Sequence, residues 1–259
     1  MPLKGIGYGC KTQTEVDSVK SLNPDFFYTW NQVPNMGLPA NGLNAEFVPM
    51  LYSDSPTRLA NLTTDLAAVT PAPRALLGFN EPDHPEQTDM TALEALNTWA
   101  PLMKTGLRLG SPATISPNAA WMSQFMGATE SLDAAKAEID KGFRVDFVAC
   151  HIYQNPSVST FLSKIDALYA AWGKPVWVTE TAVADFTAVK GSGVKSTRYT
   201  RGQVEQYMQD LWVELEKRPW LERFAWKTRD TADEQMWFSS LFNSNGTRTS
   251  TGVVYAGLS

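Results

Sequence analysis

Eight short apolar runs punctuate the chain: Gly5–Gly9, Phe26–Trp30, Glu46–Leu51, Ala75–Asn80, Arg108–Ala113, Asp146–Tyr153, Val176–Thr181 and Arg223–Lys227. Each is followed by a loop and usually by a helical pattern. Successive runs start about 31 residues apart on average, the length of a strand–loop–helix–loop unit. Eight such units closing on themselves predict an α/β protein of the (β/α)8 TIM-barrel type, one domain over residues 1–259, a typical length for that architecture. The intervening helices are legible too. Thr12-Gln13-Thr14-Glu15 has capping-box spacing, and Ser55-Pro56 opens a helix through Leu59, Leu62, Leu66 and Val69. Phe161, Ile165, Leu168 and Trp172 keep one face and stop at Gly173. The longest stripe is Val204, Tyr207, Met208, Leu211, Trp212 and Leu215, between Thr200 and Pro219.

Two places strain this scheme. Pro49 removes a ladder donor inside the third run, so that run should bulge or end early. Met36–Asn44 is too short and too rich in Gly and Pro for a regular helix. The competing architecture is an open doubly wound sheet, but Gly5, Gly7 and Gly9 lack the continuation of a phosphate-binding loop. At alternate positions they instead ease the packing of a strand.

The net charge of −5, with no basic block, excludes the electrostatic footprint of a nucleic-acid binder. No apolar run reaches the roughly 18 residues that span a bilayer. Two Cys and two His leave little material for a disulfide framework or a metal centre. Cys10 and Cys150 fall on runs one and six, too far apart in a barrel to be bridged. The expectation is therefore no metal and no organic cofactor, with free thiols. Met1-Pro2-Leu3-Lys4 leads into Gly5 without an apolar targeting region, which suits a cytosolic protein or a chain already trimmed. Export to the periplasm or medium is expected if the substrate is a polymer. Nothing in the pattern asks for a second copy, so a monomer is expected.

In a barrel, function collects at the C-terminal ends of the strands. Run four ends Asn80-Glu81-Pro82-Asp83, and run seven ends Thr179-Glu180-Thr181. Two glutamates facing each other across a cleft can split a glycosidic bond, one protonating the leaving oxygen and the other attacking the anomeric carbon or activating water. Taken singly, either Glu could be a loop carboxylate or a helix cap. Asn80 is placed to hold a substrate hydroxyl, but alternation turns it away from Glu81 unless the strand bulges or ends there. His151 and Tyr153 share one face of run six. Tyr153 is positioned to donate to Glu180, and His151 to reach the sugar or either Glu, although a satisfied core histidine is the plain alternative. Sugar rings stack on aromatics, for which Trp30 and Trp226 are the first candidates, then Tyr28, Tyr8 and Phe79. Trp99, Trp172 and Trp212 lie in helical stripes and belong to the core, and Trp177, alternating away from Glu180, should pack under the helices. His84 and Asp83 read as turn residues.

The ordered series Phe26-Phe27-Tyr28-Thr29-Trp30, Phe47-Val48-Pro49-Met50-Leu51, Gly78-Phe79-Asn80-Glu81-Pro82-Asp83, Asp146 to Tyr153 and Trp177-Val178-Thr179-Glu180 resembles glycoside hydrolase family 128, from about Gly5 to Gly257. The resemblance implies a barrel β-1,3-glucanase that retains configuration, with Glu81 as general acid/base and Glu180 as nucleophile. Lys227 departs from the pattern, standing where another apolar or aromatic residue is expected. The carboxylate pair alone leaves two alternatives open: a hydrolase of another β-linked glycan, and a β-glucan-binding protein without catalysis.

Overall fold

The computed structural model describes residues 1–35, 43–117, 120–127 and 143–259. Among these, eight strands run in chain order: β1 (Leu3–Gly7), β2 (Phe26–Tyr28), β3 (Glu46–Phe47), β4 (Ala75–Leu76), β5 (Arg108–Leu109), β6 (Val148–Gln154), β7 (Val176–Val183) and β8 (Leu221–Trp226). Six form a parallel sheet in the order β3-β2-β1-β8-β7-β6, and β4 pairs in parallel with β5. Between the facing edges of these sheets lie two isolated parallel bridges, Met50–Leu77 and Gly110–Phe147. Pro49 acts as its chemistry requires. Strand β3 stops at Phe47, and the Pro49 carbonyl accepts from the Leu77 N–H at 2.9 Å.

The helices follow the sequence pattern closely. Helix α1 (Gln13–Ser21) is capped by the Thr12 hydroxyl, which accepts from the Glu15 N–H, while the Glu15 carboxylate reaches the Lys11 N–H rather than closing a box. Helix α2 (Pro56–Ala68) buries Leu62 and Leu66, and its Ser55 makes no side-chain cap. Three short helices, α3 (Ala92–Asn97), α4 (Ala100–Lys104) and α5 (Ala120–Phe125), precede β6. Helix α6 (Val158–Trp172) buries Phe161, Ile165 and Leu168 and ends at Gly173, whose φ of 59° is left-handed. Helix α7 (Arg201–Leu215) starts from a Thr200–Gln203 capping box and buries the whole stripe from Val204 to Leu215. Helix α8 (Ser250–Ala256) closes the chain. The Met36–Asn44 expectation falls mostly on 36–42, outside the described residues.

One apolar cluster lies between the strands themselves: Phe26, Tyr28, Val48, Met50, Ala75, Leu77, Phe147, Trp177 and Ala225. It is separate from the layer in which Phe224 and Trp226 of β8 pack with the residues of α6 and α7. The alternate glycines of β1 make room for it. A Cβ on Gly5 would lie 2.2 Å from the Phe26 ring, and one on Gly7 would lie 2.6 Å from the Tyr28 ring. Tyr28 is thereby free to lean across β1, which matters for the site above it.

Candidate active site

Simple alternation along β7 would put Trp177 and Glu180 on opposite faces. A bulge changes this. Cys150 pairs with Val178 but His151 pairs with Glu180, and on the other side Val178 pairs with Phe224 but Thr181 with Trp226. Strand β7 thus carries one residue more than either neighbour between Val178 and Thr181, and Glu180 turns to the same face as Trp177. Trp177 consequently packs inside the strands, its ring 3.7 Å from Phe147 with the Arg223 guanidinium above it. The expectation that it lies under the helices is corrected.

Glu180 is buried and surrounded by donors. The Trp30 indole N–H donates to Oε1 at 2.8 Å, and the Tyr153 hydroxyl donates to Oε2. The Tyr28 hydroxyl lies 3.3 Å from Oε1 and 2.8 Å from the Thr179 carbonyl, so its single proton favours the carbonyl. Glu81 stands opposite. Its backbone has φ 44°, its N–H donates to the Ala113 carbonyl at 2.8 Å, and its Oε1 lies 2.7 Å from His151 Nδ1. Trp30 is also left-handed, at φ 58°. Of the five non-glycine residues with left-handed φ among the described residues, these two face one cleft and put backbone strain at the site. The left-handed turn at Glu81 also answers the alternation problem: β4 has ended, and Asn80 and Glu81 both line the cleft.

His151 is fully buried between the carboxylates, with Nε2 3.8 Å from Glu180 Oε1, too long for a hydrogen bond. Burial drives its pKa down, but the Glu180 charge and the hydrogen bond that His151 Nδ1 gives to Glu81 outweigh this and raise it. Glu180 shows the reverse balance. Burial pushes its pKa up, yet His151, Lys227 and the Tyr153 and Trp30 donors bring it down to about 2. Glu180 is therefore ionised at any ordinary working pH. Linkage then fixes the pH dependence of stability. A carboxylate lowered from 4.5 to about 2 stabilises above 4.5, and that contribution is lost as pH falls toward 2. A histidine raised from 6.5 stabilises below 6.5, and that contribution is lost as pH rises through the raised value. The Tm difference between wild type and Glu180→Gln is expected to be most favourable to wild type between about pH 5 and 6.5, shrinking toward pH 2 and above neutrality. A pH-independent difference in thermal melts would contradict the coupling.

Glu81, His151 and Glu180 are also the one trio, among the described residues, whose carboxylate or imidazole atoms lie within 4.8 Å of one another. As a cation site this trio is poorly suited. N–H and O–H donors occupy the Glu180 oxygens, and Glu81 Oε1 is taken up by His151 Nδ1.

The cleft above the pair has a volume of about 770 Å³, and its walls include Trp30, Tyr52, Asn80, Glu81, Tyr153, Glu180 and Lys227. Sequence-predicted residues divide clearly here. Trp226 does not reach it. Alternation through β8 sends Arg223, Ala225 and Lys227 inward and Phe224 and Trp226 outward, so Trp226 is fully buried, with its indole N–H on the Ser239 carbonyl at 2.9 Å. Its stacking role is corrected to core packing. Phe79 is likewise buried, edge-on to Trp99. Tyr28 and His151 are fully buried beneath the cleft, and each touches a glutamate; for His151 this is the second of the two contacts read from the sequence, and for Tyr28 it replaces ring stacking. Tyr8 lines a second, smaller concavity with Phe242 and Arg229. Asp83 Oδ1 accepts from the Ile115 N–H, and His84 Nδ1 from the Glu86 N–H at the cleft wall. Cys10 and Cys150 are free and buried. Sequence reasoning missed Lys227 as a site residue. Its ammonium sits 3.5 Å over the Trp30 ring. The signal was present in β8, where polar residues at 223 and 227 alternate with bulky apolar ones.

Known proteins resemble this chain over its whole length. No curated protein matches the chain in sequence. Among solved structures, a family 128 subgroup I endo-β-1,3-glucanase from Amycolatopsis mediterranei, in complex with laminarihexaose, is 27% identical, with 100% of both chains covered and a TM-score of 0.78. A subgroup II endo-β-1,3-glucanase from Pseudomonas viridiflava is 28% identical over 99% of this chain and 98% of that one, with a TM-score of 0.77. A subgroup VII oligosaccharide-binding protein from Trichoderma gamsii shares the fold at 20% identity, with a TM-score of 0.72 over 99% of this chain and 93% of that one. The model of the glycosyl hydrolase catalytic core matches residues 5–255. With both glutamates in place at one cleft, the protein is a glycoside hydrolase and belongs to the glycosyl hydrolase catalytic core family.

Proposed function

We propose that the protein is a retaining endo-β-1,3-glucanase acting through Glu81 and Glu180. The observation that carries this reading is the approach of the two glutamates, with a carboxylate oxygen of each within 4.8 Å of the other. Retaining enzymes place their carboxyls about 5–5.5 Å apart, whereas inverting ones leave about 6.5–9.5 Å for a water. The laminari-oligosaccharide complex of the Amycolatopsis enzyme supports β-1,3-glucan as the substrate. We further propose that the ring of strands closes as a (β/α)8 barrel in a single domain. The Met50–Leu77 and Gly110–Phe147 bridges support this, since they connect both edges of the six-stranded sheet to β4 and β5.

In the first step the Glu180 carboxylate attacks the anomeric carbon, and the bond to the leaving oxygen breaks as Glu81 gives that oxygen its proton. His151 engages Oε1 of Glu81, leaving Oε2 as the oxygen that carries the transferred proton. In the second step Glu81 takes a proton from water, the water oxygen bonds to the anomeric carbon, and the glycosyl ester to Glu180 breaks. The donors from Trp30 and Tyr153 hold the Glu180 carboxylate at a fixed angle throughout.

Incubation with laminarihexaose, and separately with β-1,4- and mixed-linkage glucans, tests the reading. The expected result is a set of shorter laminari-oligosaccharides whose first reducing ends are β by NMR. An α anomer as first product excludes retention, and preference for a β-1,4 chain shifts the assignment to another β-glycan.

A further inference from the structure

An aromatic beside the nucleophile of a sugar-cleaving cleft is expected to offer its face to the substrate. Here one face of Trp30 is taken. The Lys227 ammonium lies 3.5 Å from its centroid, close for a cation–π contact, and the opposite edge of the indole is held by Tyr28 at 5.1 Å and by Glu180 through its N–H. Lys227 projects from the end of β8 on the inward parity it shares with Arg223 and Ala225, and it lines the cleft. Arg223 is ion-paired to Glu46, and Arg229, at the rim, to Asp233. The Lys227 ammonium has no such partner. Among the described residues it donates no hydrogen bond and has no carboxylate within 4.0 Å, although the charges of Glu180, Glu81 and Arg229 all act on it.

The ammonium, half-buried against the indole, carries three donors that gain from finding acceptors. The π face below it supplies electrostatic attraction but no lone pair. A sugar oxygen entering the cleft would supply an acceptor in the remaining directions. We propose that Lys227 is a substrate-contacting residue: seated on Trp30, its ammonium donates to a hydroxyl oxygen of the sugar bound beside Glu180, so that this subsite reads oxygen positions through a cation instead of the ring face through a tryptophan. The assignment rests on the glycosidase reading above. It adds to that reading a specificity element on β8, at the position where the sequence departs from the aromatic pattern.

A second consequence follows from charge. A cation in van der Waals contact with Trp30 and within range of Glu180 also helps keep the carboxylate ionised, so removing it affects the nucleophile as well as the sugar. The test must separate the two effects. Lys227→Met keeps length and removes charge and donors, and Lys227→Arg keeps charge with a different donor geometry. Both are compared with wild type on laminari-oligosaccharides bearing single deoxy substitutions around the ring cleaved at its anomeric carbon, with thermal melts confirming folding. In wild type, loss of one particular hydroxyl is expected to lower kcat/KM by about tenfold, the scale of a hydrogen bond to a charged group. In Lys227→Met that same deoxy substrate is expected to cost nothing further, while the other deoxy substrates keep their wild-type penalties. Overturning results are a Lys227→Met enzyme with full activity, or one in which every deoxy penalty matches wild type, since the lysine would then act only through Trp30 and Glu180. Wild type that does not cleave laminarihexaose at all overturns the glucanase reading itself, which is a different outcome from uncoupled penalties in an active enzyme.

Discussion

Replacing Glu180 by Gln is expected to lower kcat on linear β-1,3-glucan by about 10⁴-fold, while oligosaccharide affinity measured by calorimetry stays within a few-fold of wild type. The isostere keeps the Trp30 and Tyr153 contacts in space but removes the attacking charge. The glycine variants assign the two roles independently. With azide and an aryl β-glycoside, Glu180→Gly should yield an α-glycosyl azide, because azide attacks from the side the carboxylate has vacated. Glu81→Gly should yield the β-azide, because azide meets the glycosyl ester in place of activated water. Glycine suits position 81 structurally, since φ 44° costs it nothing. A misfolded variant is therefore a poor explanation for lost turnover there. If both variants give the same azide anomer, the two glutamates do not have the roles proposed.

The second large effect is one of stability. Trp226→Ala is expected to cost about 3–5 kcal/mol, because a fully buried indole is removed from a layer that relaxes only in part. That corresponds to a Tm lower by roughly 10 °C for a domain of this size. Folded Trp226→Ala should bind laminari-oligosaccharides as wild type does, since no part of the side chain faces the cleft. Trp30→Phe should behave in the opposite way, with Tm nearly kept and turnover reduced, because it loses the N–H on Glu180 while retaining a ring under Lys227. Thermal melts beside turnover and calorimetric titration distinguish the two tryptophans, and a Trp226→Ala protein that is folded yet loses affinity, or a Trp30→Phe protein with full turnover, would contradict the assignment.

These two residues also mark what the sequence could and could not reveal. The strands were legible as apolar runs because each must be buried on both sides, and the long stripe of α7 was legible because a helix against a sheet repeats every three to four positions. Both glutamates were legible because a carboxylate ending a buried strand is costly without a use. Trp226 was misplaced by weighing residue type above parity. In β8 the bulky Phe224 and Trp226 point outward under the helices, and Arg223, Ala225 and Lys227 point in, leaving room for the Trp177 and Phe147 rings. The bulge in β7 was a different matter. Nothing in Val178-Thr179-Glu180 departs from a regular strand composition, and only pairing with β6 and β8 reveals the extra residue. The left-handed turns at Trp30 and Glu81 were equally hidden, since neither residue type favours that backbone.

The extra residue in β7 also inverts a familiar rule about chain length. Removing one residue from a buried strand normally turns everything beyond the cut to the wrong face. At Thr179 the opposite holds. Trp177 and Glu180 already share a face, with two residues between them where a regular strand has one. A chain shorter by that residue would keep Glu180 pointing inward and bring β7 back into step with β6, leaving uncompensated on the β8 side the extra residue, Glu222, that β8 carries opposite Val176–Trp177. What Thr179 contributes is therefore not the direction of the carboxylate but its height and lateral position, together with the carbonyl on which the Tyr28 hydroxyl rests. In β7 the site is tuned by length as well as by side chain, and grafting the pair onto another parallel sheet means carrying three residues of backbone geometry with the glutamate.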